Sequence, residues 1–457
     1  MLNHKELGLI IGLEIHQQIS SQKLFCKCST QFKEQNLEIE FLRKLKASAG
    51  EMGSIDIAAE FEQSRDRKFI YHGYKDEYCL IDCDDQPPNE INQDALMTAL
   101  SVTRLFKLNI PDEIIVMRKV IADGSVCSSF QRTALIGTGN KDSFIETSLG
   151  KVRITSLCLE EDACKIEKID ENKVYYSLSR QGIPLLEIRT EPDIKTPEHA
   201  KETAEKIGMI LRSFPNVLRG IGTIRQDVNL SIKNGARIEI KGFQELRVMP
   251  KIIENEVQRQ IKLLKEVKKI NLEVRKANED GTTTFLRPLP GAARMYPDTD
   301  LIPTLVTRQL LSNIKVPKLI HEKIEDLKKE HKLSYELSSE LLKQKIDFNL
   351  YHKKYNKINS SLLASLLLKY NNEENLNKSL DLLNSGKITK DVFDEAIKGK
   401  VDLSKKINLN DIEKEVKKII EEKPELSINA IMGILMGKYK GKIQGKKLIE
   451  IINKFTH

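Results

Sequence analysis

The sequence predicts an α+β first part followed by an all-α second part, and three observations carry that prediction. Residues 1 to about 305 hold most of the glycine, proline, cysteine and arginine, in short strand-patterned runs with a few clear helices between them. From about 310 onward lysine, leucine, isoleucine and asparagine dominate at helical spacing, while proline and glycine become scarce. Apolar residues make up 40% of the 457 positions, enough for real cores and unlike the composition of a disordered chain. Two or three domains are expected at this length. The composition shifts divide the chain into 1–305, a helical domain at 306–402 and a smaller helical tail at 403–457.

The first strand is written in Leu9 to His16. Alternate residues of a strand face opposite sides, so Leu9, Ile11, Leu13 and Ile15 form one apolar face while Glu14 and His16 share the other. A solvated face explains a single strand of this kind. The pattern recurs, however, in Arg225 to Ile232, where Arg225, Asp227, Asn229 and Ser231 lie opposite Ile224, Val228, Leu230 and Ile232. It recurs again with Arg237, Glu239 and Lys241 opposite Ile238 and Ile240. A two-residue Asn234-Gly235 loop would put the apolar faces of these two strands on opposite sides. A three-residue loop with Gly235 in the left-handed conformation restores agreement and predicts the cross-strand pairs Ser231–Arg237, Asn229–Glu239 and Asp227–Lys241.

Helices follow their own signals. Thr196-Pro197-Glu198 supplies an N-cap, a proline at the first helical position and an acid at the positive helix end. Ala200, Ala204, Ile207, Leu211 and Phe214 then supply the apolar stripe. A second helix is expected from about Lys251 through Ile261 into the lysine-rich stretch at 265–269, and Asn384-Ser-Gly386 and Lys398-Gly-Lys400 mark breaks between later helices.

Seven cysteines without an export signal argue against a disulfide framework, and no apolar run is long enough to span a bilayer. The expectation is a soluble, cytoplasmic protein. The formal charge of +8, from 74 basic and 66 acidic side chains, suits nucleic acid without being diagnostic of it.

Two more acidic runs lie in apolar surroundings: Leu159-Glu160-Glu161-Asp162 and Leu186-Glu187-Ile188. A glutamate in an apolar strand is costly to bury unless paired or metal-bound, and taken singly an ion pair explains each as well as a ligand role does. Glu160 and Glu161 point to opposite faces of an extended segment, so at most one of them ligates directly. Carboxylates with one imidazole suit Mg²⁺ or Mn²⁺ better than zinc. There is no phosphate-binding Gly-x-x-x-x-Gly-Lys loop, no dinucleotide fingerprint, no metalloprotease histidine pattern and no Ser-His-Asp or Cys-His arrangement.

An ordered set of motifs adds to this. Gly12-Leu-Glu-Ile-His-Gln-Gln18, Phe25-Cys-Lys-Cys28, Met117-Arg-Lys119, Asp123-Gly-Ser125, Phe130-Gln-Arg-Thr133, Leu159-Glu-Glu-Asp-Ala163 and Gly182-Ile-Pro-Leu-Leu-Glu-Ile188 come first. Glu191-Pro-Asp-Ile194, Gly222-Thr-Ile-Arg-Gln-Asp-Val-Asn229, Glu239-Ile-Lys-Gly242 and Arg287 to Pro297 follow. This set resembles the tRNA-dependent amidotransferase family that includes the bacterial B-type and archaeal E-type subunits, and the archaeal branch most. The tail around Asn429 to Gly433 and Gly437 to Gly441 resembles the family's tRNA-binding tail more weakly.

The resemblance implies an antiparallel-sheet cradle domain of glutamine synthetase-like type, then a helical domain and tail. It implies a carbon–nitrogen ligase that uses ATP and Mg²⁺ to phosphorylate the γ-carboxylate of glutamate misacylated onto tRNA(Gln). Ammonia from an asparaginase-like partner, the D-type subunit, then displaces the phosphate, in a heterotetramer with no membrane attachment. Carried onto this chain, it makes Glu14, His16, Glu160, Glu161 and Glu187 the metal-ligand candidates and Glu161, Glu187 and Asp227 the catalytic ones. Arg180, Arg225 and Lys241 are candidates for binding phosphate, on charge and strand face, and Ser125 to Gln131 for a loop near the reaction centre. A docking protein without activity, and the same chemistry on Asp-tRNA(Asn), are the alternatives. The family's archaeal branch carries a large inserted domain before Asp280, where this chain has about twenty lysine-rich residues. Bacterial relatives pair a Cys-x-Cys with a Cys-x-x-Cys around zinc. Here only Cys26/Cys28 and the differently spaced Cys79 and Cys83 occur, and two cysteines alone do not complete a four-ligand site, so zinc is not expected.

Overall fold

The computed structural model describes residues 2–455 except 32, 48, 50–52, 244, 267–268, 292–294, 372, 400–408 and 440–444. The described chain forms two compact units, Met1–Lys318 and Leu319–His457. The first is mixed α and β. Its large sheet is built from β1 (Ile10–Gln18), β2 (Val116–Val120), β3 (Phe130–Thr138), β4 (Phe144–Thr147), β5 (Gly150–Glu161) and β6 (Pro184–Thr190). It continues with β7 (Ile224–Ser231), β8 (Ile238–Phe243), β9 (Glu273–Ala277), β10 (Thr283–Pro288) and β11 (Met295–Pro297). The spatial order is β10-β9-β8-β7-β1-β6-β5-β3-β2-β11, with β4 paired to β5. All these pairs are antiparallel except β8 with β9, which are parallel and joined through a helix.

The apolar faces lie where alternation puts them. Ile11, Leu13 and Ile15 of β1 are buried together with Val228, Leu230, Ile238 and Ile240. Three helices cover this side: α1 (Gln93–Leu105), α2 (Pro197–Leu211) and α3 (Met249–Glu266). Thr196 caps α2 by accepting the His199 N–H, Pro197 follows it, and the stripe from Ala200 to Phe214 is buried. Covering one face leaves the other free to carry polar side chains.

The β7–β8 turn departs from expectation in one respect. Asn229 pairs with Glu239 as the register argument requires, but the left-handed residue is Asn234 (φ 64°), not Gly235. Glycine serves at 235 for space: a Cβ there would meet Gln260 Oε1 and lie 2.7 Å from Ile232 Cγ1. The ladder also shifts register between Gln226 and Val228, beside Gly242 (φ 89°). Asp227 and Lys241 still meet through their side chains, at 2.7 Å.

A second sheet, in the order Leu37–Arg43, Lys68–Tyr74, Lys173–Ser177, Lys165–Asp170, has its own core of Phe69, Tyr71, Tyr176 and three buried cysteines. The first unit runs past residue 305 because Thr304–Leu305 pairs with Glu113–Ile114, and Leu310, Leu311 and Ile314 pack on its core. After α3, β9 turns directly into β10 through Asn278 to Thr282, with Gly281 (φ 91°) against Lys251 of α3.

The second unit is helical throughout its described part. Helices from Ile320–His331 to Phe393–Ile397 surround one apolar core, and Leu409–Glu422, Ile428–Tyr439 and Gly445–Asn453 surround another. Asn384 ends a helix before Gly386 (φ 72°), as its Asn-Ser-Gly sequence predicts. The expected boundary at 402/403, Lys400, the end of the Gly437–Gly441 motif and residues 292–294 of the Arg287–Pro297 motif fall outside the described residues. No described helix is long and apolar enough to cross a membrane.

Candidate active site

Strand order gathers the site. β1 lies between β7 and β6, so Glu14 stands opposite Asp227 on one side and Arg189 on the other. One pleat along, His16 stands between Arg225 and Glu187. Next out, β5 sets Glu160 across from Leu185, and β2 contributes Lys119. Residues far apart in the chain thus meet on the open face of the sheet.

The cluster is tight. His16 Nε2 lies 3.4 Å from Glu14 Oε1, 3.4 Å from Glu187 Oε2 and 3.7 Å from Glu160 Oε1. Lys119 Nζ donates to Glu160 Oε2 at 2.8 Å and lies 3.6 Å from Glu187 Oε2. Arg189 donates through Nε to Glu14 Oε2 at 3.2 Å, and its Nη2 lies 2.6 Å from Glu187 Oε1. Glu160 and Glu187 are about 1% exposed. Burial resists a charge on His16, but Glu14 and Glu187 beside it overcome that and raise its pKa to about 10. Burial also opposes ionisation of Glu187, and Lys119, His16 and Arg189 together hold its carboxyl well below the ordinary range. Glu160 is pushed the other way, by burial and by the Glu187 charge.

Two cavities meet at this cluster. The larger, about 960 Å³, is lined by His16, Glu160, Arg180, Arg225 and Lys241 among others. The smaller, about 600 Å³, is lined by Gly12, Thr133, Cys158, Asn229 and Arg237 among others. Glu14, Lys119, Glu187, Arg189 and Glu239 border both, so the acids stand where the two spaces adjoin.

The sequence candidates divide accordingly. Glu14, His16, Glu160 and Glu187 come together, with Asp227 at the edge held by Lys241. Glu161 does not join them. The pleat turns it to the other side, where its carboxylate accepts the Arg132 backbone N–H at 3.0 Å and lies 3.7 Å from the Arg132 guanidinium. Arg225 and Arg180 border the larger cavity but are also structural: Arg225 grips Asp162 through two bonds of 2.8 and 3.2 Å, and Arg180 donates to the Ala163 and Cys164 carbonyls. Gln131, at the end of the Ser125 to Gln131 stretch, reaches the larger cavity. Sequence reasoning assigned no role to Lys119, Asp162 or Arg189. Arg189 was within reach, since it follows Glu187 by two residues and alternation puts both on one face.

The donor set fits a hard divalent cation. Glu14, His16 and Glu187 each offer an atom within 4.8 Å of the others, and Glu187 Oε2 is buried without a hydrogen bond. Carboxylate oxygens with one imidazole match Mg²⁺ or Mn²⁺.

A second donor set lies elsewhere in the unit. Cys26, Cys28, Cys79 and Asp82 converge within 4.8 Å. Asp82 Oδ2 lies 3.8 Å from Cys26 Sγ and 3.7 Å from Cys79 Sγ, against about 3.5 Å expected between S and O ligands of tetrahedral zinc. The expectation against zinc counted cysteines only. Asp82, three residues after Cys79, supplies the fourth donor, whereas Cys83 turns into the small sheet's core. Fully buried Lys23 offsets the negative charge, donating to Asp82 Oδ2 at 3.1 Å and to the Glu77 and Leu178 carbonyls. Backbone bonds tie this knuckle to the cluster: Leu24 N to Gly182 O at 2.8 Å, then Gly182 N to Asp162 O at 3.0 Å.

A mixed sheet whose open face gathers carboxylates, one histidine and cations between two cavities defines the class: an α/β domain with a carboxylate-rich site on its large sheet. Residues 9–312 match the model of the GatB/GatE catalytic domain, and the chain belongs to this family. It is 34% identical to the E-type glutamyl-tRNA(Gln) amidotransferase subunit of Methanocaldococcus jannaschii and 33% identical to that of Archaeoglobus fulgidus, in each case over 99% of both chains. To the corresponding protein of Methanosarcina barkeri it is 32% identical, over 99% of this chain and 98% of the relative. The M. jannaschii alignment has 627 positions against 457 residues here, so at least 170 of them face gaps in this chain.

Proposed function

We propose that the chain is the kinase and transamidase component of a tRNA-dependent amidotransferase, acting on glutamate esterified to tRNA(Gln). The observation that carries this is the convergence of Glu14, His16, Glu160 and Glu187 at the junction of two cavities, in a chain of the GatB/GatE family. A carboxylate is a poor acyl donor. Transfer of the γ-phosphoryl group of ATP to a carboxylate oxygen releases ADP and gives an acyl phosphate, whose carbonyl carbon ammonia attacks with loss of phosphate and a proton.

Glu14, His16 and Glu187 would hold Mg²⁺, with Glu160 beside them. When bound, the ion neutralises charge that develops on the transferring phosphoryl group. Lys119 steadies Glu160 and adds a positive charge at the junction. Arg225, Arg180 and Lys241 give the larger cavity a cationic wall suited to phosphates. Cys26, Cys28, Cys79 and Asp82 would hold a structural zinc, stiffening the loops that carry Gly182 and Asp162.

The ammonia is assigned to a separate asparaginase-like partner in a heterotetramer, because no amidase-like or asparaginase-like signature occurs in this sequence. A chain consuming ATP and aminoacyl-tRNA belongs in the cytoplasm. With the insertion reduced to a hairpin, selection of tRNA(Gln) passes to the helical unit. The test supplies the chain with ATP, Mg²⁺, ammonium and Glu-tRNA(Gln) and follows Gln-tRNA(Gln). Formation that is lost in H16A and E187Q supports the reading; formation unaffected by both refutes the assigned site. Product from Asp-tRNA(Asn) alone would move the substrate, not the chemistry.

A further inference from the structure

Arg189 has no part in the reading above beyond its place in the cluster, yet its geometry divides the two carboxylates it touches. Glu14 turns Oε2 to Arg189 Nε at 3.2 Å and Oε1 to His16 Nε2 at 3.4 Å. Glu187 turns Oε1 to Arg189 Nη2 at 2.6 Å and Oε2 to His16 Nε2 at 3.4 Å. The outer oxygens of both acids are therefore taken by one guanidinium, and the inner oxygens converge on the imidazole. Glu187 Oε2 is the buried atom without a hydrogen bond. The strand pairing enforces this arrangement: Arg189 faces Glu14 directly across the β1–β6 ladder and follows Glu187 by two residues on the same face.

We infer that Arg189 is the positioning residue of the cation site, its planar fork fixing the outer oxygens of Glu14 and Glu187 so that their inner oxygens stay aimed at the place a divalent cation takes beside His16. The inference rests on the cation reading of this cluster. Carboxylate ligands fixed by partners beyond the metal bind it better, and losing such a partner typically weakens binding ten- to a hundredfold. Charge alone argues the opposite sign. A guanidinium next to a cation site repels the cation, so a purely electrostatic Arg189 would weaken binding and its removal would tighten it. The direction of the change thus decides between positioning and repulsion. Arg189 also borders both cavities, so the side chain that sets the ligands is within reach of what enters either space.

The experiment is Mn²⁺ binding to the full-length chain, without nucleotide or tRNA, read from the electron paramagnetic resonance of free Mn²⁺. The unsubstituted chain is compared with R189M, R189K, E14Q, the R189M/E14Q pair and H16A, each checked for folding by near-ultraviolet circular dichroism. Positioning predicts a Kd raised ten- to a hundredfold in R189M, and only partial recovery in R189K, which keeps the charge but not the fork. It also predicts that R189M and E14Q together cost less than their separate effects combined. Unchanged or tighter binding in R189M, full recovery in R189K, or strict additivity would overturn the inference while leaving the cation site standing. Should R189M fail to fold, the comparison of R189K with the unsubstituted chain decides alone. No Mn²⁺ binding by the unsubstituted chain, or binding indifferent to H16A, sinks the cation reading and this inference with it.

Discussion

Glu160 and Glu161 are neighbours in the chain and opposites in the fold. The Glu160 carboxylate lies 3.7 Å from His16 Nε2 and accepts from Lys119 at 2.8 Å, while that of Glu161 accepts the Arg132 backbone N–H on the other side of the sheet. The two substitutions should therefore separate cleanly. E160Q is expected to lower the rate of amide formation about a hundredfold or more, because under the proposed chemistry it removes charge beside the transferring phosphoryl group. E161Q is expected to stay within about tenfold of the unsubstituted rate while losing about 1–3 kcal/mol of stability through the buried Arg132 contact. Single-turnover rates and urea unfolding on both proteins check this.

The four-donor knuckle makes a prediction about metal content. Chain purified without chelator is expected to carry about one zinc, lost in C79S and in D82A, as measured by elemental analysis with the metal-to-protein ratio taken on the same sample. Zinc content near zero in the unsubstituted protein would leave Lys23 and Asp82 as an ordinary buried ion pair.

Asp162 should set part of the acid limit of stability. Burial opposes its charge, but Arg225 and Arg180 outweigh that and hold its carboxyl below the ordinary 3.8. A folded-state pKa below the unfolded one means that the stabilisation is fully present above about pH 4 and is lost as pH falls through the lower folded value. D162N is expected to cost about 2–3 kcal/mol at pH 7, less than the ~3–5 of a fully buried pair because Arg225 is a third exposed. Urea unfolding of both proteins at pH 7 and pH 3 should show the gap shrinking at the lower pH.

The β7–β8 turn gives a test of space against backbone conformation. Gly235→Ala is expected to destabilise by about 1–3 kcal/mol, because its Cβ would press on Gln260 and Ile232 in a packed core. Asn234→Gly, at the residue that is left-handed, should be close to neutral. Thermal melts that ranked the two the other way would contradict this account of the turn.

These cases show what the sequence could convey. The apolar face of β1, the cap and stripe of α2 and the Asn229–Glu239 pair were legible because each follows from a period or cap read along one segment. Glu160 could not be told from Glu161 that way, because alternation separates the two without saying which face is open. That choice needed the strand order, which sets Glu160 beside Thr133 and Leu185. Asp82 escaped because its approach to Cys26 and Cys28, more than fifty residues earlier, is set by the fold and not by any local spacing. Gly235 was read for its permitted conformation when its small size was the reason for it, a distinction only the position of Gln260 on α3 reveals.

The central claim is that the side-chain carboxylate of the esterified glutamate is phosphorylated at the Glu14–His16–Glu160–Glu187 cluster. It is tested most directly with Glu-tRNA(Gln) carrying ¹⁸O in the γ-carboxylate, turned over with ATP, Mg²⁺ and ammonium. An attack of that carboxylate on the γ-phosphorus leaves one of its oxygens in the released phosphate. The account predicts ¹⁸O in the phosphate, seen by mass spectrometry, in the unsubstituted protein and none released by E187Q; unlabelled phosphate accompanying Gln-tRNA(Gln) formation would contradict it.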